Sequence, residues 1–173
     1  MFVLKDYILL AALAAALYTD IRRGKIYNWL TFGLAGFALL YHLGTGGAGG
    51  LLFSLRGMLV GTLVFLLPFL LGGLGGGDIK LVGAIGALQG PDFILKAAIA
   101  AALAGGVLAV AVMLRRGIFA GTLRRLWTEL RIMLFRLQSG NLTCEPQNTI
   151  GADKYTFPYG VPIVCGTLAA YFL

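Results

Sequence analysis

Ile79-Lys80-Leu81-Val82-Gly83-Ala84-Ile85-Gly86-Ala87-Leu88-Gln89 is the stretch on which the architecture turns. As a helix it spans only about 16 Å, roughly half a bilayer core, and that length ordinarily marks a re-entrant segment. Its direction decides where the downstream arginines fall. If it crosses, Arg115, Arg116, Arg124, Arg125, Arg131 and Arg136 share a side with Arg22, Arg23 and Lys25. If it turns back, all six land opposite, against the tendency of Lys and Arg to stay cytoplasmic. The segment is therefore expected to cross, which gives six spans with both termini outside.

The composition requires a solvent other than water. Of the 173 residues, 59% are hydrophobic and 12% charged, and the mean hydropathy is +0.88. A soluble domain carries roughly 25% charged residues. The expected fold is an all-α membrane protein, a single embedded domain over residues 1–173. Its spans are expected at about 2–20, 29–43, 51–71, 79–89, 93–114 and 157–173. Arg56 and Lys96 lie near span starts, where long side chains reach the headgroups.

The net charge of +7 could signify nucleic acid, anionic lipid or topology. The positions decide. Eleven basic residues (22, 23, 25, 80, 115, 116, 124, 125, 131, 136 and 154) fall inside, against Lys5, Arg56 and Lys96 outside. The charge is topological, and no nucleic-acid partner is implied.

Residues 115–138 form a different kind of element. Phe119, Leu123, Leu126, Leu130, Met133 and Leu137 recur at helical spacing, with arginines over much of the remaining face. This predicts a basic amphipathic helix in the membrane interface, with lipid as its partner and substrate docking as the alternative role. Ser139–Thr156 lacks periodicity and is expected to be a cytoplasmic loop.

Several functions are disfavoured by what the chain contains. Cys144 and Cys165 form no CxxC pair, and His42, expected in an interfacial loop, has no histidine or carboxylate nearby. Neither a cysteine nor a histidine metal site is expected. The first apolar run resembles a signal peptide in length, but its basic residues follow the run instead of preceding it. It reads as an uncleaved span.

Among seven acidic residues, Asp20 and Asp78 stand apart. Asp20 ends the first span and Asp78 begins the fourth, so topology alone puts both at the cytoplasmic surface. A carboxylate at a span boundary is expensive and tends to be functional, although anchoring a helix end is the plainer role. Asp78 also follows Gly72-Gly73-Leu74-Gly75-Gly76-Gly77, a run costly in backbone entropy. Such a loop lets another backbone approach closely, as in strand addition. Neither phosphate-binding glycine motif fits it.

Gly75-Gly76-Gly77-Asp78-Ile79-Lys80-Leu81 resembles the GxGDxKL motif of type IV prepilin peptidases. Tyr18-Thr19-Asp20 followed by Ile26-Tyr27-Asn28 resembles their first motif, with Tyr27 where proline is usual. Phe157-Pro158-Tyr159-Gly160-Val161 resembles the segment opening the final span in the short Tad/Flp-type and preflagellin-type members. The resemblance covers nearly the whole chain.

That resemblance implies an aspartic endopeptidase with Asp20 and Asp78 as its catalytic pair and no metal or organic cofactor. It implies loop-geometry or substrate roles for Gly75, Gly77, Lys80, Asn28, Pro158, Tyr159 and Gly160. The substrates would be prepilin, prepilin-like or preflagellin proteins, with a basic leader before a hydrophobic helix, cut at the cytoplasmic boundary. Larger members add a cytoplasmic domain with paired CxxC motifs and methyltransferase activity; without such motifs here, peptidase activity without methylation is expected. Two other classes compete. A small proton- or cation-coupled transporter could use the same acids, but the sequence has no inverted repeat. A scaffold without enzymatic activity would have no need of both aspartates.

Overall fold

The computed structural model describes residues 3–70, 74–115, 121, 127, 128, 131 and 159–173. The elements among them are helices: α1 (Leu4–Arg23), α2 (Asn28–Leu70), α3 (Gly76–Gln89), α4 (Pro91–Arg115) and α5 (Gly160–Ala170). Glycine sets several of their ends. α1 stops at Gly24, whose φ of 59° is left-handed and whose N–H donates to the Asp20 carbonyl at 2.7 Å. α1 thus runs past its expected end at residue 20, and Asp20 lies within the helix. α3 likewise starts earlier than residue 79, inside the glycine run, so Asp78 occupies its first turn.

α2 is two helical halves. At Gly47, φ is 55° and ψ is −142°, outside any helix. A Cβ on Gly50 would lie 2.0 Å from the His42 carbonyl oxygen. In a continuous helix, residues eight apart are separated by about 12 Å along the axis. The chain therefore folds back on itself between His42 and Gly50, in the gap between the spans expected at 29–43 and 51–71. His42 sits on the first half of α2, not in a loop, and its Nε2 lies 3.0 Å from the Leu88 carbonyl near the end of α3.

Long-range contacts give each helix a direction relative to α3. Asn28 meets Lys80 and His42 meets Leu88, so the first half of α2 runs parallel to α3. Ser54 meets Ala87 and Gly61 meets Val82, so the second half runs antiparallel. α1 is antiparallel to α5, with Asp6 at Tyr171 and Asp20 at Gly160. Phe93 packs on Tyr171 and Ala101 on Gly166, so α4 opposes α5. Direction alternates from segment to segment along the chain.

α3 is the buried centre. From Asp78 to Leu88, Lys80 alone is exposed. Small residues allow this. A Cβ on Gly86 would meet the Gly57 carbonyl oxygen at 2.2 Å, and one on Gly57 would meet the Gly86 oxygen at 2.0 Å. Two helices can approach so closely only where neither carries a side chain. Leu9 and Leu13 of α1, Leu34 of α2 and Ile163 of α5 complete the core around Leu81, Ile85 and Leu88.

Among the described residues, two helices are long and apolar enough to cross a membrane, Asn28–Leu70 and Pro91–Arg115. In the most apolar window of each, only 17% is buried. Leu40, Leu67, Ile99 and Leu103 face outward, as side chains facing lipid must. This is a membrane protein. Length and apolarity single out these two helices and do not by themselves give six crossings.

The chain divides into two units, Met1–Gly105 with Phe157–Leu173, and Gly106–Thr156. Of the second, the structure describes the end of α4 and four further residues; there the Arg131 guanidinium lies 5.9 Å from the Trp127 ring centroid. The amphipathic helix expected over 115–138 and the loop after it otherwise lie outside the described residues.

Candidate active site

Asp20 reaches the site from α1 and is 6% exposed. Its Oδ2 accepts the backbone N–H of Gly160 at 2.9 Å. Gly160 opens α5, and the first N–H groups of a helix have no partner within it. The carboxylate thus completes the start of α5, where the helix dipole also favours negative charge. A Cβ on residue 160 would sit 2.5 Å from Asp20 Oδ2 and 3.1 Å from its Cγ. Glycine is required there by space, because its φ is not left-handed.

Asp78 reaches the site from α3 and is 8% exposed. Its Oδ2 accepts the Gly75 N–H at 3.0 Å, the backward reach of a third-position acid to its own helix cap. Gly75 is extended, at φ −81° and ψ 154°, and a Cβ there would lie 3.1 Å from the same oxygen. Gly77, next to Asp78, lies against Ile26 of the connection that follows Asp20. Two buried carboxylates from different helices therefore share one end of the bundle.

Gly77 answers to a neighbour from its own chain. A Cβ there would meet the Ile26 side chain at 3.0 Å and its carbonyl oxygen at 3.1 Å. Within the chain, the close backbone approach at Gly77 is made by the α1–α2 connection. Gly77 holds the start of α3 against the segment that follows Asp20.

Lys80 and Asn28 meet one another. Lys80 Nζ donates to Asn28 Oδ1 at 3.0 Å and lies 5.4 Å from the Phe32 ring centroid. Two residues on from Asp78 around a helix, Lys80 points to the opposite side, into solvent or headgroups. Nearby, Arg23 lies over the Tyr27 ring at 5.7 Å and donates to its hydroxyl, while the Tyr27 carbonyl accepts the Leu30 N–H at 3.1 Å and starts α2. The residue standing where the resemblance has proline thus caps a helix and seats an arginine. Tyr159 caps α5, its carbonyl accepting the Ile163 N–H at 3.2 Å. Pro158 lies outside the described residues.

The bond from Gly160 to Asp20 and the wall made by Ile26 were not anticipated. Each joins residues distant in sequence, and the visible signal was only the Pro158-Tyr159-Gly160 helix opening. As potential ligands, the two aspartates stand as a pair: among the described residues no group of three metal-ligating side chains gathers.

A family profile described as the type IV leader peptidase family matches residues 7–110, more than half of the chain, including both aspartates. The chain belongs to the type IV leader peptidase family. Comparison with curated proteins and with solved structures gives no match. For this leader peptidase, the matched region carries most of α1, both halves of α2, α3 and most of α4. α5, which supplies the N–H held by Asp20, follows the matched region.

Proposed function

We propose that this peptidase is a membrane aspartic endopeptidase that removes the leader of prepilin or prepilin-like proteins, with Asp20 and Asp78 as its catalytic pair. The observation that carries the reading is the joint burial of two carboxylates, from α1 and α3, at the end of the bundle where Arg22, Arg23 and Lys25 emerge. Burying two acids near one another is expensive. Neither is neutralised by an ion pair among the described residues; each is oriented by one backbone N–H.

Two carboxylates in one site cannot both ionise cheaply, so the pair holds one shared proton. The ionised member takes a proton from water as the water oxygen bonds to the scissile carbonyl carbon. The protonated member donates to the carbonyl oxygen. When the C–N bond breaks, a proton passes from the pair to the leaving nitrogen, giving an acid and an amine. The Oδ2 atoms already accept from Gly160 and Gly75, so on this reading Oδ1 of each faces the water and the shared proton.

The reading places the site at the cytoplasmic face of six crossings, with both termini outside. Alternating helix direction and the basic residues at the Asp20 end support it. A substrate with a basic leader before a hydrophobic helix presents its scissile bond at that depth. Peptidase activity is proposed without methylation.

The test is to incubate the purified protein with candidate prepilins and follow leader release by mass spectrometry, with Asp20→Asn and Asp78→Asn alongside. Release by the parent and by neither variant is the expected result. Cleavage at the parent rate by either variant would remove the pair from the mechanism.

A further inference from the structure

At the far end of the same helices lies a second buried polar cluster. Asp6, 6% exposed, accepts at Oδ1 from Gln89 Nε2 at 2.7 Å and from the Tyr171 hydroxyl at 3.0 Å. Gln89 Nε2 is also 2.7 Å from the Tyr171 hydroxyl. Asp6 Oδ2 accepts the Val3 N–H at 2.8 Å. Within the cluster the amide uses both hydrogens, the hydroxyl donates to the acid and accepts from the amide, and the carboxylate only accepts. Lys5 is the charged side chain beside Asp6 in sequence, and Phe93 meets the Tyr171 ring edge to face with centroids 5.0 Å apart.

The three residues come from α1, the end of α3 and the end of α5. Those are the helices that bring Asp20, Asp78 and Gly160 to the other end. The cluster lies about 21 Å from Asp20 along α1 and about 17 Å from Asp78 along α3. At the site end, the Gly160–Asp20 bond joins α1 and α5, and one such bond does not by itself stop a helix from sliding or rotating. A second tie, made by all three helices together, removes that freedom.

We propose that Asp6, Gln89 and Tyr171 form a register clamp, positioning residues that set the relative placement of Asp20 and Asp78 from the opposite face of the bundle. The proposal rests on the catalytic reading of the two aspartates for its kinetic consequence, and on the packing alone for its structural one. An ångström of misplacement at a reacting pair costs up to about a hundredfold in rate. Breaking the clamp is expected to alter how the pair shares its proton and not how substrate is held.

The test uses Gln89→Leu, Tyr171→Phe and their double variant in the full chain. Each single change is expected to lower kcat by between about tenfold and a hundredfold with KM unchanged. The pH–rate profile is expected to shift, and the double variant to be little worse than either single, because the three groups act as one ring. Losses that multiply in the double variant, with a pH profile superimposable on the parent's, would mean general destabilisation and overturn the clamp. Spin labels at Ile21 and Lys80, in a chain with Cys144 and Cys165 replaced by serine, give a readout independent of catalysis. Their distance distribution is expected to broaden in both single variants; an unchanged distribution overturns the clamp. Cleavage by Asp20→Asn would instead remove the catalytic reading, leaving the clamp to stand or fall on the label distances.

Discussion

The Gly160 N–H points at the Asp20 carboxylate from 2.9 Å, and no residue with a side chain could bring it there, since a Cβ at 160 would lie 2.5 Å from Asp20 Oδ2. One bond thus does two things: it satisfies a helix start buried in the bundle, and it fixes the rotamer of a buried acid. Asp78 repeats the arrangement through Gly75. Each aspartate is therefore structural and, on the proposed reading, chemical.

The two roles are separable by substitution. Asn keeps an oxygen that can accept the N–H but cannot share the pair's proton. Asp20→Asn and Asp78→Asn should each abolish cleavage while preserving the melting transition, and the double variant should be no worse. Asp20→Ala should abolish cleavage and also cost about 1–3 kcal/mol, because it leaves the buried Gly160 N–H unpaired. Melting curves of Asn and Ala variants in the same detergent check this.

Gly160→Ala should lower leader cleavage at least about tenfold by pushing the Asp20 carboxylate aside. Gly105→Ala is the control: its Cβ would stand 3.6 Å from Pro162, an ordinary contact, and alanine favours the helix. Equal activity of the two variants at matched membrane expression would contradict the role given to Gly160.

Gly77→Val should impair cleavage strongly, because Ile26 leaves no room for a branched side chain and must move the connection behind Asp20. Gly76→Ala, whose Cβ would be 3.9 Å from Phe69, should be mild. The comparison is cleavage rate per folded protein. If both are tolerated, the glycine run is only a flexible link.

Gly57→Val should prevent folding, since its Cβ would meet the Gly86 oxygen at 2.0 Å and backbone cannot yield as a side chain does. Overpacking of this kind costs about 1–3 kcal/mol or more. Gly33→Ala, with open space around it, should accumulate like the parent. Size-exclusion profiles of the two proteins settle the point.

Much of this was legible in the sequence because membrane helices are local objects. Apolar runs, glycine breaks and the placement of arginines depend on neighbours in the chain, and they located the helices around Asp20 and Asp78 to within a few residues. Partner choice is not local. Whether Asp6 faces Gln89 and Tyr171 depends on the rotation and register of three helices, which no periodicity encodes. The same holds for His42: a lone histidine beside glycines reads as a loop residue, yet it reaches the Leu88 carbonyl near the end of α3. The extension of α1 through Asp20 to Arg23 was missed because a charge at the end of an apolar run marks the membrane boundary, not the helix boundary.

The glycine-to-glycine contact between α2 and α3 also bears on biogenesis. α3 has 14 residues, among them an aspartate and a lysine, and it lays Gly83 and Gly86 against α2. Such a segment is too short to span a bilayer core as a helix and carries two charged residues, so it gains little by partitioning into lipid alone. On the six-crossing reading it enters the membrane as cargo of its neighbour: the second half of α2 inserts first and α3 docks along it. The order of synthesis suits this, since α2 emerges before α3. A translating ribosome would then deliver Asp78 to a membrane in which the helix that packs against α3 already stands.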